Sequence, residues 1–194
     1  VDKGISGICI TDACDMEEFE EQKYGKRLMY SCFAAHKAQD IFSQQLIVTN
    51  GVEMCQPLAD PDRAVQVIGE NRFDFVLGSL HKTRKYGDMM MLNYAHPALD
   101  LQDVFRSYYE ELLEVVQWGH FDSLAHLGYP LRYLKPYNRT VDLAQIDDVF
   151  AEIMKSLVAQ GKALELNTGG LRMEIEAFTP SNKYLQMYKD YGGE

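Results

Sequence analysis

The chain has 194 residues, 46% of them hydrophobic and 25% charged, ordinary values for a globular protein with room for one sizeable core. Its formal net charge of −10 opposes phosphate backbones and anionic bilayers, which excludes a general nucleic-acid or membrane surface; a small phosphorylated substrate stays open, because a metal or a few local cations reverse the field inside a cleft. Cys9, Cys14, Cys32 and Cys55 show neither paired zinc spacing nor disulfide-scaffold density, no leader pattern opens the chain, and no apolar run nears the roughly 18 residues of a membrane helix, so the expected setting is the cytoplasm with reduced thiols.

Taken in chain order, short apolar runs alternate with longer stretches of helical period. Gly7–Thr11 reads as a strand and Lys26–Gln44 as a helix, followed by a strand at Leu46–Gly51 and a helix at Pro61–Glu70. Phe73–Ser79 is the third strand. The next helix, Leu101–Trp118, carries Tyr109, Leu112, Leu113 and Val116 at helical spacing behind the N-cap Asp100. Strands at Asp122–Leu127 and Ala163–Asn167 flank a helix at Leu143–Gln160, with Asp142 as its cap and Gly161 as its stop. This alternation predicts an α/β domain of about five parallel βα units, treated as one domain over residues 1–194.

In parallel α/β folds, chemistry gathers beyond the carboxyl ends of the strands. Those ends carry Asp12, Glu53, His81, His126 and Asn167, the last followed by Thr168. One histidine near a strand end is ordinary; ionisable or polar groups at successive ends point to a shared centre. Neutral imidazoles with carboxylates suit zinc, iron or manganese, with water or a phosphate oxygen in the open positions.

The stretches GICITDACDM, NGVEM, FDFVLGSLH, FDSLAHLGYPLRY and ALELNTGGLR, in this order, resemble the histidinol-phosphatase branch of the PHP (polymerase and histidinol phosphatase) phosphoesterases. The resemblance runs from about Gly4 to Gly193. It implies a distorted (β/α)7 TIM-like barrel holding divalent ions, and hydrolysis of histidinol phosphate in histidine biosynthesis. Glu53, His81 and His126 match metal ligands, with Glu53 as the natural bridging ligand, and Asp12 matches the aspartate of a Thr-Asp-His motif. The histidine of that motif falls on Ala13, a missing ligand that implies fewer ions than the family cluster. The family's first strand, with its two histidines, and its last, with an Asp-x-His pair, have no counterpart here, so the sequence is similar to the middle of the barrel. The resemblance gives Asp12 and Arg172 catalytic roles, and lets Arg172 and Asn167 bind a small phosphorylated substrate.

Two readings stand beside that one: another PHP phosphoesterase acting on phosphotyrosine or nucleic acid, and a metal-poor pseudoenzyme, which Ala13 favours. Oligomeric state is open. Among the other polar groups, Lys82, Arg84 and Lys85 form a basic loop that either recruits an anion or is simply solvated. Gly169-Gly170 suits a turn or a close approach. His36, His96 and His120 read as structural or as loop residues, and Asp15, Glu17, Glu18, Glu20 and Glu21 as a solvated acidic stretch.

Overall fold

The computed structural model describes residues 4–172 and 177–194. By packing, the chain falls into two compact parts, Val1–Gly78 with His120–Asp122, and Ser79–Gly119 with Ser123–Glu194.

In the first part, β1 (Gly7–Asp15) and β2 (Ile47–Cys55) run parallel through nine register pairs, and β3 (Phe75–Ser79) is the next neighbour of β2. Both paired strands run farther than their apolar letters suggest: Asp12–Asp15 lies opposite Val52–Cys55, and the Met16 N–H extends the ladder to the Cys55 carbonyl at 3.0 Å. The expected ends at Thr11 and Gly51 are therefore corrected, because a ladder is made by backbone groups and tolerates polar side chains. Gly51 is where two strands crowd β2: a Cβ there would stand 2.5 Å from the Phe75 carbonyl and 2.8 Å from the Cys9 sulfur. Helix α1 (Tyr24–Phe42) packs on β1 and β2, and donates from Gln39 Nε2 to the Val48 carbonyl at 3.1 Å. Helix α2 (Pro61–Asn71) is capped by Asp60, whose carboxylate accepts the Arg63 N–H at 3.1 Å. The loop before β3 is tied in twice, since the Asn50 N–H donates to Asp74 at 2.9 Å and the Asp74 N–H to the Asn50 carbonyl at 2.7 Å.

The second part holds the larger core. A two-stranded antiparallel hairpin, β4 (Lys82–Thr83) and β5 (Gly87–Asp88), follows His81; it is absent from the sequence reading because its strands are two residues each. Helix α3 (Leu101–Trp118) matches the expected bounds, with Asp100 accepting the Asp103 N–H at 3.1 Å and Gly119 closing it at φ 70°. It buries Val104, Phe105, Tyr108, Leu112, Val115 and Val116. The expected helix at Leu143–Gln160 divides into a 3-10 turn (Leu143–Ile146) and α4 (Asp147–Ala159), because Asp142 caps the turn through the Ala144 N–H. Strands β6 (Ser123–Leu124) and β7 (Ala163–Leu164) pair in parallel and are shorter than expected. At β6 the chain leaves extended geometry at His126, whose φ is 27°. Helix α5 (Asn182–Asp190), not anticipated, lays the Tyr184 ring 4.0 Å from that of Phe150 on α4. Among the described residues, no helix is long and apolar enough to cross a membrane.

Candidate metal centre

In the first part, parity decides what each side chain of β1 and β2 can reach. Partners in a parallel register point to the same side of the sheet. Asn50 donates to the Cys32 sulfur of α1 at 3.3 Å, so the even-numbered residues of β2 face the helix layer. Asp12, paired with Val52, belongs to that face and is exposed. Ala13 pairs with Glu53 on the other face, and Glu53 is half-buried. Asp12 and Glu53 thus both lie within strands, on opposite faces.

In the second part, two histidines meet. His81 follows β3 and His126 follows β6, with Nε2 atoms 3.2 Å apart and ring centroids 5.0 Å apart. His81 is held by its backbone: the buried Tyr108 hydroxyl donates to the Leu80 carbonyl at 2.9 Å, and the Met89 N–H to the His81 carbonyl at 3.0 Å. His126 is held at both ends of its peptide, its N–H donating to a Glu165 carboxylate oxygen and its carbonyl accepting from the Tyr129 N–H at 2.7 Å.

The donor chemistry fits a divalent cation. Two imidazole nitrogens bound at about 2.0–2.1 Å to one tetrahedral ion stand about 3.3–3.4 Å apart, close to the 3.2 Å between the Nε2 atoms here. Imidazole ligates a metal through the lone pair of a ring nitrogen, and here the two Nε2 atoms are the ones brought together.

An aromatic wall completes this centre. The Tyr129 ring lies 4.6 Å from that of His81 and 5.1 Å from that of His126. Its hydroxyl accepts from Tyr133 at 2.9 Å, and burial pushes its pKa well above the ordinary phenol range, so it stays neutral. The Arg132 guanidinium sits over the same ring, 4.6 Å from its centroid. Tyr129, Arg132 and Glu165 were not singled out in the sequence. The available signal was Glu165, a carboxylate inside an apolar run, which needs a partner if it is covered.

The remaining expectations separate clearly. Asn167 accepts the Gly169 N–H at 2.8 Å on its amide oxygen and donates to Glu165 at 3.1 Å, so its amide braces the loop. Thr168 and Arg172 are exposed, Arg172 closing the 3-10 turn Gly169–Arg172. The basic loop is engaged by α3: Arg84 pairs with Glu111 at 3.2 Å and with Glu114, and Lys85 with Asp103. Hydrogen bonds from Lys85 and Tyr86 hold the Asp103 carboxyl below its usual range. His96 accepts the Ala98 N–H at 3.2 Å within a turn, and His36 is exposed on α1.

The family model described as PHP domain matches residues 1–169, and the chain belongs to that family, with an α/β fold. Its relatives lie among the histidinol-phosphatases, so the phosphoric monoester hydrolases are the enzymes it resembles: it is 27% identical over 168 residues to a histidinol-phosphatase of Lactococcus lactis, and 31% identical over 196 residues to a probable histidinol-phosphatase of Thermotoga maritima. These matches take in 85% and 98% of this chain, which spans 61% and 68% of the two relatives' lengths. Among solved structures, the histidinol phosphate phosphatase of Lactococcus lactis, complexed with zinc, L-histidinol and phosphate, superposes with a TM-score of 0.71 at 25% identity, over 99% of this chain and 72% of that one. A structure from Listeria monocytogenes gives a TM-score of 0.76 at 15% identity, over 98% of this chain and 81% of that one, a likeness of fold.

Proposed function

We propose that the protein is a metal-dependent phosphomonoesterase acting on histidinol phosphate, with His81, His126 and Glu53 as the residues that would hold zinc, iron or manganese. The observation that carries this reading is the 3.2 Å approach of the two Nε2 atoms. The relatives' names and the zinc, histidinol and phosphate of the Lactococcus structure supply the substrate class. A divalent ion held there supplies positive charge for the phosphoryl oxygens and lowers the pKa of bound water toward neutrality.

The chain's own groups have separable tasks. His81 and His126 present their Nε2 atoms, and Tyr129 walls them from bulk solvent. Arg132, over that ring, and Arg172 are the cations for the phosphate, each able to donate two parallel N–H bonds. Asn167 contributes through the loop it braces. Asp12, on the helix-side face of β1, orients its surroundings rather than the ion. A histidine at position 13 would stand beside Glu53, since adjacent strands lie about 4.8 Å apart and Ala13 is the register partner of Glu53. The setting we propose is cytoplasmic, in one PHP domain over residues 1–194, with a small phosphorylated molecule as partner and neither nucleic acid nor membrane; four free cysteines and the acidic charge support it.

The test is phosphate release from L-histidinol phosphate, a phosphotyrosine peptide and single-stranded DNA, in manganese, iron or zinc, for the chain and its Ala13→His variant. The proposal expects histidinol phosphate to be preferred and Ala13→His to raise both metal content and rate. Preference for phosphotyrosine would favour another PHP phosphoesterase. Metal bound with no turnover in either form would favour the inactive reading that Ala13 supports.

A further inference from the structure

We propose that Glu165 is the positioning residue of the metal centre, fixing the His126 imidazole through that residue's backbone. The inference rests on the reading of His81 and His126 as ligands and adds a residue that neither touches the ion nor matches a ligand position.

The geometry is a closed circuit in the second compact part of the chain. One Glu165 carboxylate oxygen accepts the His126 N–H and also the Asn167 amide at 3.1 Å. Asn167 exchanges both backbone hydrogen bonds with Thr179, at 2.8 and 3.1 Å. Thr179 packs against Gly128, where an added Cβ would stand 2.7 Å from the Thr179 side chain. Gly128 is two residues from His126, whose carbonyl is taken by the Tyr129 N–H. The Glu165 N–H closes the figure by donating to the Leu124 carbonyl at 3.0 Å.

What this circuit holds is an unusual backbone. His126 has φ 27°, a left-handed value that a residue with a Cβ adopts only when its surroundings impose it. Rotation about that φ would swing the imidazole away from His81. A carboxylate on the His126 N–H resists the rotation more strongly than a neutral acceptor, because charge-assisted hydrogen bonds are about twice as strong. Groups that orient a ligating histidine usually act on its second ring nitrogen; here the carboxylate acts on the main chain.

Cobalt titration of the purified chain tests this, since the visible spectrum of the bound ion reports coordination geometry independently of turnover. Glu165→Ala is expected to weaken cobalt binding about 10–100-fold, the usual cost of losing a group that orients a ligand, and to change the band shape. Glu165→Gln, which keeps a neutral carbonyl acceptor at the same reach, should recover part of the affinity and the wild-type band shape. Glu165→Asp keeps the charge but falls short of the His126 N–H, so it should behave like the alanine variant; it also serves if alanine unfolds the loop. In the metal-free protein, Glu165→Ala should move the His126 amide proton resonance upfield. Wild-type affinity and spectrum in both the alanine and aspartate variants, with binding weakened in His81→Ala, would overturn the role of Glu165 and leave the metal reading standing. Unchanged binding in His81→Ala would remove that reading and this inference together.

Discussion

Helices α1 and α3 are nearly equal in length, 19 and 18 residues, yet they stand in opposite conditions. Helix α3 buries nine residues and α1 only three, Tyr24, Leu28 and Ala35, while Met29, Tyr30, Phe33, Ile41 and Phe42 of α1 are exposed. The difference teaches where the candidate metal centre takes its rigidity. Helix α3 fixes the segment around His81 through the Tyr108 hydroxyl and the Glu111 carboxylate, which accepts the Arg84 N–H at 2.8 Å. Helix α1 touches strands that carry Ala13 and Glu53, with less packing behind it.

The sharpest way to break this contrast is to truncate each helix. Leu112→Ala in α3 should cost about 2–5 kcal/mol, because a fully buried leucine leaves a cavity, whereas Phe33→Ala in α1, at 70% exposure, should stay within about 0.5 kcal/mol. Urea unfolding measures both, and equal losses would erase the distinction.

Tyr108→Phe is the next largest. It removes the donor to the Leu80 carbonyl and should cost about 1–3 kcal/mol, since a buried acceptor is left unpaired. It should also loosen zinc binding at His81, read by competition with a chromophoric chelator.

A smaller effect separates Glu111 from exposed carboxylates. Desolvation raises its pKa above the ordinary glutamate range despite the opposing pull of Arg84. A raised carboxyl pKa means that its contribution to stability is fully present below the ordinary range and fades as pH rises through the raised value. Glu111→Gln should therefore flatten the dependence of the melting temperature on pH from that range upward. An unchanged slope would place the titration elsewhere.

The smallest effect is chemical. Burial, with Asp15 adding to it, pushes the Cys14 thiol up to about 12, so it stays protonated near neutrality. Cys14 should resist iodoacetamide under conditions that label half-buried Cys9, as mass spectrometry of the peptides would show. By the same sign, its stabilising contribution is complete below the ordinary thiol range and is lost as pH rises through about 12.

How much of this was legible in the sequence depended on the kind of signal. Helix α3 was read to the residue, because its apolar period and its Asp100 cap are both local. The candidates Glu53, His81 and His126 and the gap at Ala13 came from reading strand ends against a family pattern. The strand limits failed in two directions. At Asp12–Asp15 the ladder continued through side chains that look like a stop; at His126 it ended early, because Glu165, distant in sequence, holds a left-handed turn. Tyr129 and Arg132 sit in the Tyr129–Tyr133 3-10 turn, where no periodicity marks a face. The basic loop was left between recruiting an anion and being simply solvated, because its partners Glu111, Glu114 and Asp103 lie on a helix that sequence alone does not place beside it.

The central claim, that His81 and His126 together hold a divalent ion, is tested most directly by zinc titration calorimetry on the wild-type chain and on the His81→Ala/His126→Ala double variant. The account predicts saturable binding by the wild type that disappears in the double variant while the melting curve of the metal-free protein keeps its shape. Undiminished zinc binding in a folded double variant would contradict it.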